Sequence, residues 1–298
     1  MFELLQSVIP ALIMVFVLTA MLNVGMTQDP GKILAHLSDW RYLARMVVAN
    51  FFVVPGVMIL FLAIFDVPTP YAFALVIFSM AAGAPLLLKL TSASDNDISA
   101  GATVQMVLMV ATVLILPWLL PLVIDGVEVS AWEVAQSLLL QMLLPLGVGL
   151  VLFRVAEGFV AKVQPWVAKV SNVALYALLA ATLIGYLPEM ADGRLWKAIG
   201  VGLLVLLVAF YVGYGTGHGD TERSQIGGLG TGQRNTAAAM LVAQSNADDP
   251  MVFVTATLLN TLGMVMLLAV AKRLAGDDAS LALLDPVASD RPGASDRD

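Results

Sequence analysis

Two cations stand inside apolar stretches of this 298-residue chain. Lys89 lies in Leu86-Leu87-Leu88-Lys89-Leu90, and Arg234 lies in Gly232-Gln233-Arg234-Asn235-Thr236. No acid shares either stretch; the nearest to Lys89 are Asp95 and Asp97, at the far end of its segment. A charge at the centre of a membrane helix costs about 2.5–3.5 kcal/mol by insertion scales, so two of them need a reason. The chemistry open to them is anion binding, with half-helix N-termini adding partial positive charge. Each also has a plainer reading. Lys89 is close enough to the segment end to snorkel into the interface, and Arg234 could serve as a structural tie to backbone carbonyls.

Polar neutral side chains surround these cations. Thr91 follows Lys89, while Thr231, Gln233 and Asn235 flank Arg234. Asn50, Gln105 and Asn260 are lone amides in other apolar segments. A buried amide in lipid must find a partner, so each is either glue between helices or a ligand contact. Their co-occurrence with the two cations points to a polar cavity.

Other chemistries are excluded by what is missing. The chain has no cysteine, hence no disulfide, thiolate metal site or thiol nucleophile. His36 and His218 are too few and too far apart for zinc. No Ser–His–Asp set, HExxH or carboxylate pair can be assembled within the apolar segments, so an enzyme is not expected. The run Gly213-Tyr214-Gly215-Thr216-Gly217-His218-Gly219 lacks the strand and the Gly-Lys-Ser/Thr of a phosphate loop and reads as a flexible connection. Net charge is -7, which argues against nucleic acid as a partner.

The elements that must position these side chains are membrane helices. The chain is 59% hydrophobic and 12% charged, against about 45–50% and about 25% in soluble domains. Nine segments approach the roughly 20 apolar residues a bilayer requires. They are Val8–Met26, Tyr42–Phe65, Tyr71–Leu90, Ile98–Ile124, Val134–Phe153, Val170–Leu187, Ala198–Gly215, Gln225–Ala243 and Met251–Ala271. The expected fold class is an all-α polytopic membrane protein with a transmembrane domain over residues 1–275. Residues 276–298 read as a disordered cytoplasmic tail.

Two segments look broken. Pro85, in Ala82-Gly83-Ala84-Pro85, removes a donor and clashes with the turn before it. Gly227, Gly228, Gly230 and Gly232 place four glycines in six residues ahead of Arg234, which predicts a break at Gly230 and Gly232. Irregular backbone at membrane depth needs protein or a water-filled cavity around it. Each break thus carries one cation.

Charge placement sets the orientation. With nine spans and an outside N-terminus, the inner side holds Lys32, Arg41, Arg45, Arg154, Lys162, Lys169, Arg223, Lys272, Arg273, Arg291 and Arg297. The outer side holds only Arg194 and Lys197, beside Asp66, Asp125, Glu128, Asp248 and Asp249. Positive residues mark the cytoplasmic side. The expectation is a multi-pass protein of the plasma or inner membrane, N-terminus outside and C-terminus cytoplasmic, built as a carrier or channel.

The residues resemble those of the bile acid:sodium symporter family. The resemblance rests on Met21-Leu22-Asn23-Val24-Gly25-Met26-Thr27, on Asn50 ahead of Pro55, and on the Pro85 break. It extends through Gly232-Gln233-Arg234-Asn235 before an Ala-rich stretch and Asn260-Thr261-Leu262-Gly263, and covers Ile9 to Arg273. It implies an inverted repeat, a panel and a core domain, two crossing discontinuous helices (the third and eighth spans) and alternating access. It also implies organic-anion substrates, usually with sodium as the driving ion.

The chain departs from the family at the sodium ligands. A Ser-Asn pair in the first crossing helix is replaced by the region Lys89-Leu90-Thr91-Ser92. A glutamate in the second falls on Gly230 or Leu229, depending on the anchor, and the glutamine falls on Arg234 when Gly232 and Asn235 are aligned. Asn50 stands at a sodium-binding glutamine and Gln105 near a Thr ligand. A fixed cation within about 4 Å of Na⁺ repels it by several kcal/mol at an effective dielectric near 20. The expectation is a carrier of small organic anions (carboxylates) in which Lys89 and Arg234 replace the sodium ions, with no metal or cofactor required. Sodium-coupled symport and a membrane sensor without flux are the alternatives. Substrate identity, direction and oligomeric state are not fixed at this level.

Overall fold

The computed structural model describes residues 2–123, 130–246 and 249–284, and among these every regular element is helical. Among the described residues seven helices are long and apolar enough to cross a membrane. They are α1 (Phe2–Thr27), α2 (Pro30–Phe65), α5 (Ile98–Val123), α6 (Ala131–Val155), α7 (Glu157–Gly185), α8 (Gly193–Gly215) and α11 (Pro250–Leu284, apolar to Gly276). Between α2 and α5 the chain forms two pieces, α3 (Thr69–Met80) and α4 (Leu87–Ala93). Between α8 and α11 it forms two more, α9 (Thr221–Gly232) and α10 (Thr236–Asn246). Two helices, another in two pieces and a fourth helix thus occur in the same order in each half of the chain, with α6 between the halves.

The first break lies where sequence places it, over residues 81–84 just before Pro85. The second does not. The glycine run is helical through Gly232, and unwinding covers Gln233–Asn235 only, so Gly230 and Gly232 are not break residues. Glycine weakens a helix by exposing backbone and by entropy; here neighbouring helices cover that backbone. A Cβ on Gly227 would strike the Gly213 carbonyl of α8, and one on Gly228 would strike Phe210. The glycines serve a close α8–α9 crossing, the small-residue packing that holds helices together where lipid offers no hydrophobic drive. Gly213, expected in a flexible connection, is the α8 side of that crossing. The helix runs to Gly215 before turning.

The helices sort into two groups. α1, α6 and α7 pack on one another. Gly25 of α1 faces Gly149 of α6 so closely that neither accepts a Cβ. Antiparallel α1 and α7 are tied at both ends, where Gln6 Nε2 donates to the Gly185 carbonyl at 2.8 Å and Gln164 Nε2 to Asn23 Oδ1 at 2.8 Å. The second group comprises α2, the broken helices, α5, α8 and α11. Both α2 and α6 pass through one π-helical turn, Ala49–Val53 and Leu139–Leu143, each just before a proline. The proline's missing N–H and ring clash account for the locally widened turn.

Segments assigned to one side by charge meet at one end of the bundle. Arg223 pairs with Asp39 at 2.6 Å and His36 with Asp97 at 3.7 Å, and the Asp97 N–H donates to Glu222 Oε1 at 2.8 Å. Segments assigned by charge to the opposite side meet at the other end, where Tyr71 donates to Asp192 at 2.9 Å and Lys197 to the Asp66 carbonyl at 3.1 Å. Asp125, Glu128 and Asp248 lie outside the described residues. The last helix runs to Leu284, past the boundary expected at Gly276. The remaining tail, with Arg291 and Arg297, lies outside the described residues.

Candidate functional site

The two breaks are stitched to each other. The Asn235 N–H donates to the Ala81 carbonyl at 2.7 Å, and Asn235 Nδ2 donates to the Gly83 carbonyl at 3.1 Å. Asn235 Oδ1 also accepts from the Ala238 N–H at 3.1 Å, as an N-cap for α10. One side chain therefore satisfies backbone that both breaks leave open. Thr112 of α5 supports the first break from behind. Its Oγ1 accepts from the Ala82 N–H at 3.0 Å and lies 3.0 Å from the Ala82 carbonyl. Gly83 takes φ 76°, and a Cβ there would run into the Met109 backbone, so only glycine suits this turn.

Among the described residues Arg234 is the largest fully buried side chain, 1% exposed. Its Nη1 donates to Asn50 Oδ1 at 3.1 Å and to the Ser79 carbonyl at 2.9 Å; its Nη2 donates to the Thr231 carbonyl at 2.6 Å. Ser79 closes α3 and Thr231 closes α9, so one guanidinium bridges the carbonyl ends of both half-helices. Helix C-termini carry about half a negative charge, and a cation between two of them sits where the field favours it. Asn50 is oriented for this role. Its Nδ2 donates to the Met46 carbonyl at 2.8 Å and to Thr231 Oγ1 at 3.1 Å, leaving Oδ1 to the guanidinium. The widened α2 turn begins one residue before Asn50, which reaches Thr231 and Arg234 beside the second break.

Lys89 behaves differently. It is exposed, has no ion-pair or hydrogen-bond partner among the described residues, and lines a cavity of about 250 Å³ between the two helix groups. Polar walls come from Asn23 and Thr27 of α1, Ser171 and Asn172 of α7, and Gln233, Thr236 and Asn260. Apolar walls include Phe16, Val24, Leu175 and Met264. Gln233 Nε2 reaches Asn260 Oδ1 at 3.4 Å. Arg234 also borders this space, and Pro85 forms part of its rim.

The predicted residues thus separate into three places. Lys89, Gln233, Arg234 and Asn260 meet at the cavity. Asn50, Thr231 and Asn235 sit behind it, where the two breaks meet. Thr91 is buried against Gly101, with its hydroxyl donating to the Leu87 carbonyl at 2.8 Å. Gln105 is fully buried on α5 with both amide atoms unpartnered among the described residues, and its backbone carbonyl lies against Gly83. Sequence reasoning missed Asn23, Asn172 and Thr112 as site residues. Asn172 carried the same signal as Asn50, an amide inside an apolar span. Thr112 carried none, because a threonine in a membrane helix is as easily satisfied by its own backbone.

Among the described residues no cluster of three or more His, Cys, Asp or Glu could hold a metal. A polytopic helical protein whose two broken helices meet beside a cavity with an unpaired cation has the build of a membrane carrier. Residues 5–215 match the SBF-like CPA transporter family, and the chain belongs to that family. No curated protein matches the sequence.

Proposed function

We propose that this protein is a secondary transporter of small organic anions, carboxylates in particular, which works by alternating access without sodium. The broken pairs α3/α4 and α9/α10 are the crossing helices of an inverted repeat. α1, α6 and α7 form the panel, and the other helices form the core. The chain crosses the membrane nine times, N-terminus outside and C-terminus in the cytoplasm of the plasma or inner membrane. Lys89 and Arg234 stand in place of the two sodium ions and divide the work. Arg234 is the permanent tie between the crossing helices, and Lys89 offers its charge to the anion. The observation that carries this reading is the guanidinium bridge from Arg234 to Ser79, Thr231 and Asn50. Among the described residues no Asp, Glu or His lines the cavity, so proton coupling would run through the substrate's own carboxylic acid.

The test is anion flux into proteoliposomes with sodium replaced by potassium or choline. Flux that persists supports the reading; a tenfold drop overturns it. Sodium-coupled symport is the second reading. Gln105 favours it, as a buried amide oxygen without a partner beside the unwound backbone. A third, a sensor without flux, is separated by the same liposomes, since it binds anions and moves none.

A further inference from the structure

A second concavity lies on the outside of the bundle, away from the substrate cavity. It is a groove of about 410 Å³ between α2 and α8, lined by Ala44, Arg45, Val48, Ala49, Val53, Val212, Gly215 and Thr216. Its composition is ordered along the helix axis. Arg45, Gly215 and Thr216 lie toward the end of the bundle where Arg223 pairs with Asp39. Val48, Val53 and Val212 line it toward the membrane interior. From Arg45 to Val53 is eight residues, about 12 Å of helix.

Arg45 lines the groove's mouth, and Arg41 lies one helical turn before it. Arg45 Nε donates to the Arg41 carbonyl at 3.2 Å, and Arg41 lies over the Trp40 ring at 5.6 Å. Among the described residues neither guanidinium pairs with an acid; the ion pairs seen belong to Arg194 and Arg223. Trp40, 64% exposed, lies on the helix ahead of Arg45, and Tyr214, 38% exposed, directly precedes Gly215; exposed aromatic side chains near helix ends are typical of a membrane interface. Val48 and Val53 are exposed on the same surface.

We propose that this groove is a binding site for an anionic glycerophospholipid. The phosphate sits against Arg41 and Arg45, and one acyl chain runs down the groove over Ala49 to Val53. Unpaired arginines above an apolar channel match a headgroup with a negative charge above a hydrocarbon chain. A zwitterionic lipid would fill the channel without balancing the arginines. A second helix would leave them unbalanced unless it brought an acid of its own. The groove floor is also the outer face of the α2 turn whose inner face carries Asn50. A lipid seated there braces the residue that orients Arg234, so occupancy stabilises the crossing as well as the surface.

The experiment uses the full chain in detergent. Bound lipid is counted by native mass spectrometry, and melting temperature is followed with added phosphatidylglycerol, phosphatidylcholine or soluble glycerol phosphate. Gly215→Leu fills the groove at a position where a Cβ meets nothing within 4 Å. An Arg41→Gln, Arg45→Gln double variant removes the charge at its mouth. The expected result is retention and stabilisation by phosphatidylglycerol alone, about tenfold weaker in affinity in each variant. Equal response to phosphatidylcholine overturns the proposal, as does a response to glycerol phosphate alone. An undiminished response in Gly215→Leu places the lipid elsewhere. A dimer that Gly215→Leu breaks makes the groove a contact between copies and also overturns it.

Discussion

Arg234 and Lys89 carry the same charge in the same region and answer to opposite tests. Arg234 makes three hydrogen bonds from full burial. Truncation to Ala leaves the Ser79 and Thr231 carbonyls and the Asn50 oxygen without a donor. Each such buried group costs about 1–3 kcal/mol, so Arg234→Ala should lower the melting temperature strongly, and flux should fall with it. Arg234→Lys should recover part of that loss, since one ammonium cannot reach all three oxygens in a planar fork. Lys89 holds nothing in place. Lys89→Ala should leave the melting temperature within about 0.5 kcal/mol equivalent of the native protein and cut anion flux by at least about tenfold. Normal flux in Lys89→Ala would remove that residue from the proposed mechanism. A stable Arg234→Ala protein would show that the guanidinium bridge contributes little.

The broken elements depend on backbone shape more than on any side chain. Gly83 reaches φ 76° with the Met109 backbone directly against its Cα. Gly83→Ala is therefore expected to destabilise by more than the ~1 kcal/mol of an ordinary glycine substitution, because α5 must move to admit a methyl group. Thermal unfolding in detergent measures this, and a melting temperature equal to native would contradict the turn described here. Pro85 was legible as a breaker because proline acts through its own covalent structure. The glycine run was not, since glycine permits a break without requiring one. Gly227 and Gly228 stay helical because Gly213 and Phe210 cover them, and those partners are 14 and 18 residues earlier in the chain.

Across the whole molecule, coupling is decided by what moves with what. In the proposed cycle the core helices travel as one body, and Arg234 keeps their crossing closed in every state. Sodium should then leave the melting temperature of the native chain unchanged, whereas an ion bound only to the folded state would raise it. A rise with sodium but not with potassium would favour the Gln105 reading. The cavity, by contrast, is built from both groups, with Asn23 and Asn172 on one side and Lys89, Gln233 and Asn260 on the other. A ligand there touches both bodies, which is the arrangement that lets binding bias their relative position.

By itself the sequence determined the medium and the order of elements. Long apolar runs must be helical in lipid, since every backbone group needs a partner there, and Pro85 and the intramembrane cations announced that two segments were unusual. It also pointed to the family through residues distributed from Met21 to Gly263. Only the tertiary structure decided which cation was committed and which was free. That difference depends on the Ser79 carbonyl, 155 residues from Arg234, and on the Asn50 oxygen, 184 residues away. Distances of that kind leave no trace in local composition or spacing. They exist only once α2, α3 and α9 are packed together.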